Sequence, residues 1–95
     1  MRLRVSPRAL ADLADISAYL RQHHPTASVR VRGAILNAFV LIKTHPEVGR
    51  LQDGGLRKLP LTRYPYLIFY DVDLTRREIG IVTIRHAARH SNPSV

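Results

Sequence analysis

The chain has no cysteine, few acidic residues and no long apolar run. Without cysteine, a disulfide scaffold, a thiol nucleophile and a cysteine-ligated zinc site are excluded. The first sixteen residues carry acids early and contain no long apolar stretch, so they predict neither a secretory signal nor a membrane span. We therefore expect a cytoplasmic protein that does not enter a membrane and, at 95 residues, a single domain.

The shortage of acids leaves a strong positive charge. Fifteen Lys and Arg stand against seven Asp and Glu, which gives a net charge of +8. Only Lys43 and Lys58 are lysines, and the other thirteen bases are arginines, whose planar guanidinium suits phosphate and carboxylate. This excess indicates either a solvated basic surface or a polyanionic partner, such as nucleic acid, a ribosome or an acidic protein segment. Composition does not choose among these.

Two amphipathic helices are predicted in the first half of the chain, after a short strand at residues 2–5. Ser6 and Pro7 suit the N-cap and first position of a helix that ends near Pro25. Thr26 is the expected cap of a second helix, which ends before Pro46 because proline cannot continue it. A short link makes the two helices a hairpin. The apolar stripe expected on the second helix comprises Val31, Ile35, Ala38, Phe39 and Ile42.

Three strands are predicted in the second half. The short run 56–59, the aromatic and branched run 66–72 and the alternating run 78–86 have strand character, and the polar link 73–77 suits a hairpin. Unbroken alternation places Ile79, Ile81, Thr83 and Arg85 on one face and Gly80, Val82, Ile84 and His86 on the other. The wall facing the helices is expected to include Leu67, Phe69, Ile79, Ile81 and Val82.

The predicted fold class is therefore α+β, with an N-terminal strand and a helical hairpin packed against a small antiparallel-rich sheet in the order β-α-α-β-β-β. We expect one domain over residues 1–90 and a short C-terminal tail over residues 91–95. No internal repeat or second domain is visible in the sequence.

The end of the last strand carries the first candidate site. His86 is a candidate general acid or base, and Arg85 and Arg89 are candidate phosphate ligands or partner contacts. The alternative is a structural histidine with arginines paired to acids. Tyr66 and Tyr70 share a strand face and are expected to be packing residues.

The second candidate site is the basic sheet surface formed by Arg57, Lys58 and Arg63. These side chains bind a partner or, alternatively, protect an exposed strand edge from aggregation. His23, His24 and His45 lack metal-ligand spacing, so we expect no metal site. No glycine-rich phosphate loop is present, and we expect no cofactor.

The order of motifs resembles the second half of the RelE/ParE toxin family. The residues that carry the resemblance are Arg63-Tyr64-Pro65-Tyr66-Leu67-Ile68-Phe69-Tyr70, a short turn, and then the ending Ile84-Arg85-His86-Ala87-Ala88-Arg89-His90. Upstream, His45-Pro46-Glu47-Val48-Gly49-Arg50 is similar to that family's link between the second helix and the sheet. The resemblance covers nearly the whole chain.

The resemblance implies the toxin of a type II toxin–antitoxin pair, bound in a hetero-oligomer by a cognate antitoxin and meeting DNA only indirectly through that antitoxin. Within the family, ribosome-dependent mRNA endonucleases use basic sheet residues, which match Arg63 and Arg85 here, with His86 as the candidate acid or base. These enzymes usually add a tyrosine near the C-terminus, and no aromatic residue follows Arg85.

The His-Ala-Ala-Arg ending resembles the ParE side of the family, whose members inhibit DNA gyrase without cutting RNA. We therefore expect a non-enzymatic gyrase inhibitor whose candidate contacts are Arg57, Lys58, Arg63, Arg85 and Arg89. Two alternatives stay open. One is an mRNA endoribonuclease that acts on the ribosome with Arg63, Arg85 and His86, and the other is a non-toxic module that only binds an antitoxin.

Overall fold

The computed structural model describes residues 1–89, with side chains through Ala88. The elements are β1 (Arg2–Val5), α1 (Pro7–His23), α2 (Pro25–Thr44), β2 (Arg50–Leu51), β3 (Arg57–Pro60), β4 (Tyr66–Asp73), β5 (Glu78–His86) and a 3₁₀ turn at Ala87–Arg89. The predicted α+β order is confirmed, and β2 is an additional two-residue strand that the sequence reading missed. The predicted tail at residues 91–95 lies outside the described residues.

One five-stranded mixed sheet runs in the order β1-β5-β4-β3-β2. Strand β1 pairs parallel to β5, and the other neighbours pair antiparallel, so the sheet is antiparallel-rich as predicted. The parallel pairing ends at Val5, opposite Ile81. Beyond that point the outer edge of β5 has no strand partner, and the start of α1 lies beside it.

The two helix starts differ in how they are capped. Ser6 accepts a hydrogen bond from the Ala9 N–H at 3.0 Å and donates one to the Val82 carbonyl at 2.8 Å, so the predicted cap also ties α1 to the sheet. The expected Thr26 cap on α2 is wrong. Helix α2 begins at Pro25, whose fixed φ suits the first turn, and His24 in the cap position makes no side-chain cap bond.

A β-bulge interrupts the pairing of β4 with β5. Phe69 and Tyr70 are consecutive in β4, but their partners on β5 are Thr83 and Ile81, so Val82 is an extra residue without a partner. An extra residue reverses the alternation of side chains along the rest of the strand. The bulge therefore changes which side chains after Val82 point toward the helices.

The core lies between the two helices and one face of the sheet. Its larger members are Leu20, Val31, Ile35, Phe39, Ile42, Tyr66, Ile68, Tyr70, Ile79, Ile81 and Ile84. The predicted stripe of α2 and the packing roles of Tyr66 and Tyr70 are confirmed. Because of the bulge, Ile84 shares the core with Ile79 and Ile81, so the unbroken alternation was wrong. Leu67, Phe69 and Val82 do not belong to this cluster, and their expected place in the wall was wrong.

None of the helices in the described part of the chain is long and apolar enough to cross a membrane.

Candidate functional site

The second face of the sheet, which we call the outer face, carries a row of side chains across four strands. Pairing places Arg50 opposite Lys58, Lys58 opposite Phe69, and Phe69 opposite Thr83. Directly opposed residues project from the same face, so these four side chains form one row. Arg85, opposite Leu67 in the neighbouring row, belongs to the same face.

Three bases on this face have no charge partner among the side chains of residues 1–88. Among residues 1–88, Arg50, Lys58 and Arg85 make no side-chain hydrogen bond or ion pair. Phe69 between them is nearly fully buried. We call Arg50, Lys58 and Arg85 the basic end of the outer face. Unpaired cations beside an apolar residue can bind an anionic or mixed surface without first breaking internal ion pairs.

At the other end of the outer face, the charged side chains pair with one another. Arg4 donates to Glu78 at 3.0 Å, and Arg2 donates to the other carboxylate oxygen of Glu78. These two hydrogen bonds lower the pKa of the Glu78 carboxyl below its ordinary value, and the bond from Arg2 has the larger effect. Asp71 accepts the Gly80 N–H at 3.2 Å. The outer face is thus divided into a paired end and an unpaired basic end.

Arg57, a predicted partner contact, is engaged within the fold. Its guanidinium donates to the Gly49 carbonyl at 2.8 Å and lies 3.5 Å from the Glu47 carbonyl. The Tyr70 hydroxyl accepts the Gly49 N–H at 2.8 Å and donates to the Pro46 carbonyl at 2.7 Å. Together these two side chains fix the loop between α2 and β2. A role for Arg57 in partner binding stays a prediction.

Gly49 is required by the approach of the tyrosine ring. A Cβ added at Gly49 would lie 2.7 Å from both the Tyr70 hydroxyl and a ring carbon. This close approach explains why a glycine stands in the segment between α2 and β2, the segment that resembles the family's link. Sequence reasoning identified the link but not the buried hydroxyl, 21 residues away, that the glycine contacts.

The loop that precedes β4 presents Arg63 on the helix side of the sheet. Arg63 is exposed and lines a groove with Asn37 and Leu41 of α2 and with Leu59 of β3. It is not part of the row that contains Lys58. For Arg89, only the backbone position in the 3₁₀ turn is described, so its predicted role lies outside the described side chains.

His86 and Arg85 project from opposite faces of β5. His86 pairs with Tyr66, a core residue, and the two rings meet edge to face with centroids 5.3 Å apart. Both His86 and Arg85 border the groove along the free edge of β5, which Asp15 of α1 also lines. Of the proposed catalytic set, Arg85 and His86 therefore reach one groove from opposite faces of β5, whereas Arg63 borders a different groove beside α2.

The hydrogen bonding of His86 limits its chemistry. Its Nδ1 accepts the Ala88 N–H at 3.1 Å. In a neutral imidazole whose Nδ1 is an acceptor, the proton is on Nε2. The neutral ring therefore has no unused lone pair with which to act as a general base while the Ala88 bond is intact.

Asp12 is a residue that the sequence reading did not single out. Its Oδ2 accepts the Ile84 N–H at 3.0 Å and the Thr83 hydroxyl at 2.5 Å. Strand β1 has already ended at this point, so the Asp12 carboxylate, in place of a neighbouring strand, accepts the hydrogen bond of the backbone N–H at the edge of β5. Nothing in the sequence around Asp12, in the first half of α1, indicates that its carboxylate would bond to β5.

No group of three or more His, Cys, Asp or Glu side chains that could hold a metal ion occurs within residues 1–88. His23, one of the histidines weighed for metal binding, instead stacks against Tyr19 with ring centroids 4.4 Å apart.

A helical hairpin on one face of a small mixed sheet, with bases on the other face, defines a small α+β protein with a basic surface. The family model for the ParE toxin of the type II toxin–antitoxin system parDE matches residues 3–90. The chain belongs to this ParE toxin family. Membership implies an antitoxin partner.

Two relatives support this assignment, and one solved structure shares the fold. Toxin RelE2 of Caulobacter vibrioides (strain ATCC 19089 / CIP 103742 / CB 15) is 42% identical over 82 residues, covering 86% of this chain and 90% of the relative. Y4kP of Sinorhizobium fredii (strain NBRC 101917 / NGR234) is 34% identical over 87 residues, covering 90% and 88%. A chain of the chromosomal ParDE TA system from P. aeruginosa has the same fold, with a TM-score of 0.78, 23% identity and coverage of 90% and 95%.

Proposed function

We propose that this protein is a cytoplasmic toxin that inhibits DNA gyrase by binding it and that is neutralised by a cognate antitoxin. The proposal is a binding mechanism, without covalent chemistry on a substrate. The observation that carries it is the state of His86. With Nδ1 accepting the Ala88 N–H, Nε2 of the neutral ring is a donor, so the ring could act as the base in a 2′-hydroxyl attack on RNA only after that bond breaks.

The separation of the candidate catalytic residues supports the same conclusion. General acid–base catalysis needs the acid, the base and the charge-stabilising group around one reacting atom. Arg85 and His86 border one groove from opposite faces of β5, and Arg63 lies apart from both, in a different groove beside α2. A binding surface has no such requirement for convergence.

We assign target contact to the basic end of the outer face. Lys58 and Arg85, with Arg50 beside them, are cations without partners among residues 1–88, so binding would not have to break an internal ion pair. Phe69 projects from the same face but is nearly fully buried, so the exposed part of this patch is basic.

The test is controlled expression of the chain alone in a host without the antitoxin, with growth, total RNA integrity and the DNA-damage response followed together. We expect growth arrest, intact RNA and induction of the damage response. The double variant Lys58→Ala with Arg85→Ala should lose the arrest. The exposed helix arginine variant Arg21→Ala should keep it.

His86→Ala separates binding from catalysis in the same assay. The proposal predicts that this variant still arrests growth. Fragmented RNA that disappears in His86→Ala would contradict the proposal. Unchanged growth with the wild-type chain would instead favour a non-toxic antitoxin-binding module.

A ribosome-dependent mRNA endonuclease is the second candidate. The observation that favours it is the same set of unpaired bases, because Lys58 and Arg85 could hold an RNA backbone as well as a protein surface. The RNA integrity measurement decides between the two candidates, since only an endonuclease shortens transcripts.

A further inference from the structure

The basic end of the outer face presents positive charge without an exposed aromatic residue. Two adjacent rows of paired positions cross the sheet there, and none of the positions is acidic: Arg50, Lys58, Phe69 and Thr83 in one row, and Pro60, Leu67 and Arg85 in the other. Arg50 is exposed, and Lys58 and Arg85 are half-buried, whereas Phe69 is only 4% exposed. The surface that a partner meets here is therefore mainly cationic.

The sheet holds these three cations in a fixed arrangement. Neighbouring strands lie about 4.8 Å apart, and two residues along a strand span about 6.7 Å. Arg50 and Arg85 are three strand spacings apart and in adjacent rows, so their Cα atoms are separated by about 16 Å, with Lys58 between them. The phosphates of one DNA strand advance about 3.4 Å along the helix axis per nucleotide, so this span corresponds to about five nucleotides. Three cations in this arrangement can contact three phosphates of one backbone.

The paired end of the outer face limits where an anionic backbone can lie. Asp71 and Asp73 are exposed carboxylates at that end, and Glu78 beside them is already bonded to two arginines. Carboxylates repel phosphates, since both are negatively charged. A phosphate backbone that binds the outer face is therefore confined to the basic end.

The burial of Phe69 favours double-stranded over single-stranded nucleic acid. Proteins that bind single strands stack the unpaired bases on exposed aromatic side chains. Phe69 is the one aromatic position in the two rows, and because it is nearly fully buried it offers unpaired bases no stacking surface. In a duplex the bases already stack on one another, and phosphate contacts alone supply sequence-independent affinity.

We propose that the basic end of the outer face binds the phosphate backbone of duplex DNA directly and without reading its sequence. In the cell this contact would place the toxin on the DNA that gyrase holds, and that part of the inference rests on the proposed function. The family resemblance implied contact with DNA only through the antitoxin, so a direct contact by this surface goes beyond it.

The experiment measures binding of the purified full-length chain to two DNA duplexes of unrelated sequence, at salt concentrations between about 50 and 200 mM. Each neutralised phosphate contributes about −0.9 to the slope of log affinity against log salt, so the wild type should show a slope of about −2.7 on both duplexes. Lys58→Gln and Arg85→Gln should each bring the slope about 0.9 closer to zero. Glutamine keeps most of the side-chain stem, which limits the effect on packing beside Phe69.

Two further variants keep the test independent of folding and of net charge. Arg50→Gln changes an exposed position at the edge of the sheet and should lower the slope by the same amount. Arg21→Gln is the matched control, because it removes the same charge from an exposed position in the last turn of α1, and it should leave the slope unchanged.

Several results would overturn the inference. One is a wild-type slope in Lys58→Gln, Arg85→Gln and Arg50→Gln. Another is an equal change in Arg21→Gln, which would mean that the net charge of +8 attracts DNA without a defined site. Tighter binding to single-stranded DNA or RNA than to a duplex, or a strong preference for one duplex sequence, would also overturn it.

Failure of the proposed function gives a different result, because the DNA-binding measurement contains no gyrase. A chain that binds duplex DNA through Lys58 and Arg85 but neither inhibits gyrase nor arrests growth would support the inference and contradict the proposed function. Gyrase binding without DNA that Lys58→Gln weakens, while DNA binding stays unchanged, would overturn the inference and leave the proposed function intact. The basic end would then contact an acidic protein surface.

Discussion

Arg85 and His86 are neighbours in sequence but belong to opposite faces of the sheet. Arg85 shares the outer face with Leu67, and His86 shares the core side with Tyr66. The bulge at Val82 sets which of the two faces each residue takes, because it reverses the alternation of β5 before its last residues. A sequence pair that resembles a catalytic dyad is thereby divided between the outer face of the sheet and a structural contact with Tyr66.

Gly49→Ala is expected to destabilise the protein, because the new methyl group would lie 2.7 Å from the Tyr70 ring and hydroxyl. Overpacking of this kind costs about 1–3 kcal/mol. The measurement is the free energy of unfolding from urea titration. The matched control is Gly33→Ala, where nothing is within 4 Å, and it should stabilise the fold by up to about 1 kcal/mol. Equal effects at the two glycines would refute the packing argument.

Tyr70→Phe removes a hydroxyl that both accepts from Gly49 and donates to Pro46. The ring would stay in the core, but a buried N–H and a carbonyl would lose their partner. We expect a loss of about 1–3 kcal/mol in the free energy of unfolding. Hydrogen exchange of the Gly49 amide should also accelerate relative to the amides of α1. Unchanged exchange at Gly49 would mean that water or a rearranged loop replaces the hydroxyl.

Asp12→Ala leaves the Ile84 N–H and the Thr83 hydroxyl without their acceptor at the edge of β5. The expected loss is about 1–3 kcal/mol in the free energy of unfolding. Asp12→Asn keeps one carbonyl oxygen as an acceptor and should lose less. Asp15→Ala, an exposed position on the same helix, is the control, and a loss there as large as that of Asp12→Ala would contradict the account.

The pH dependence of stability should include Glu78. Its pKa is lowered in the folded state by hydrogen bonds from Arg2 and then Arg4, relative to an ordinary value of 4.5. A lowered folded pKa means that the unfolded state binds the proton first as the pH falls. The contribution of Glu78 is therefore complete above pH 4.5 and is lost as the pH falls through the lower folded pKa.

Thermal unfolding of wild type and Glu78→Gln between pH 6 and pH 3 measures this contribution. The difference in Tm between the two proteins should shrink as the pH falls below 4.5. A constant difference over that range would show that the carboxylate is not linked to folding.

Much of the fold follows from local rules in the sequence. Ser6 and Pro7 mark the start of α1, and the stripe from Val31 to Ile42 marks the buried side of α2. These features depend on residues within a few positions of one another, so a sequence pattern contains them. The same holds for the hairpin of β4 and β5.

The features that the sequence did not predict depend on contacts between distant residues. The bulge at Val82 arises from the pairing of β4 with β5, and the sequence of either strand alone does not predict it. Asp12 meets the Ile84 amide across 72 positions of sequence, and Tyr70 meets Gly49 across 21. The two-residue strand β2 exists only because β3 lies beside it. The sequence was enough to name the basic residues of the candidate site. It could not show which face of the sheet each side chain takes, because that depends on these long-range contacts.

The central claim is that the protein acts by binding and that Lys58 and Arg85, not His86, carry that binding. The most direct measurement adds the purified chain to DNA gyrase and supercoiled plasmid and measures both the affinity for gyrase and trapped DNA breaks. The account predicts that wild type and His86→Ala both bind and trap breaks. In the double variant Lys58→Ala with Arg85→Ala, the dissociation constant should rise about 100-fold. Absence of gyrase binding by the wild-type chain, together with RNA cleavage on ribosomes that His86→Ala abolishes, would contradict it.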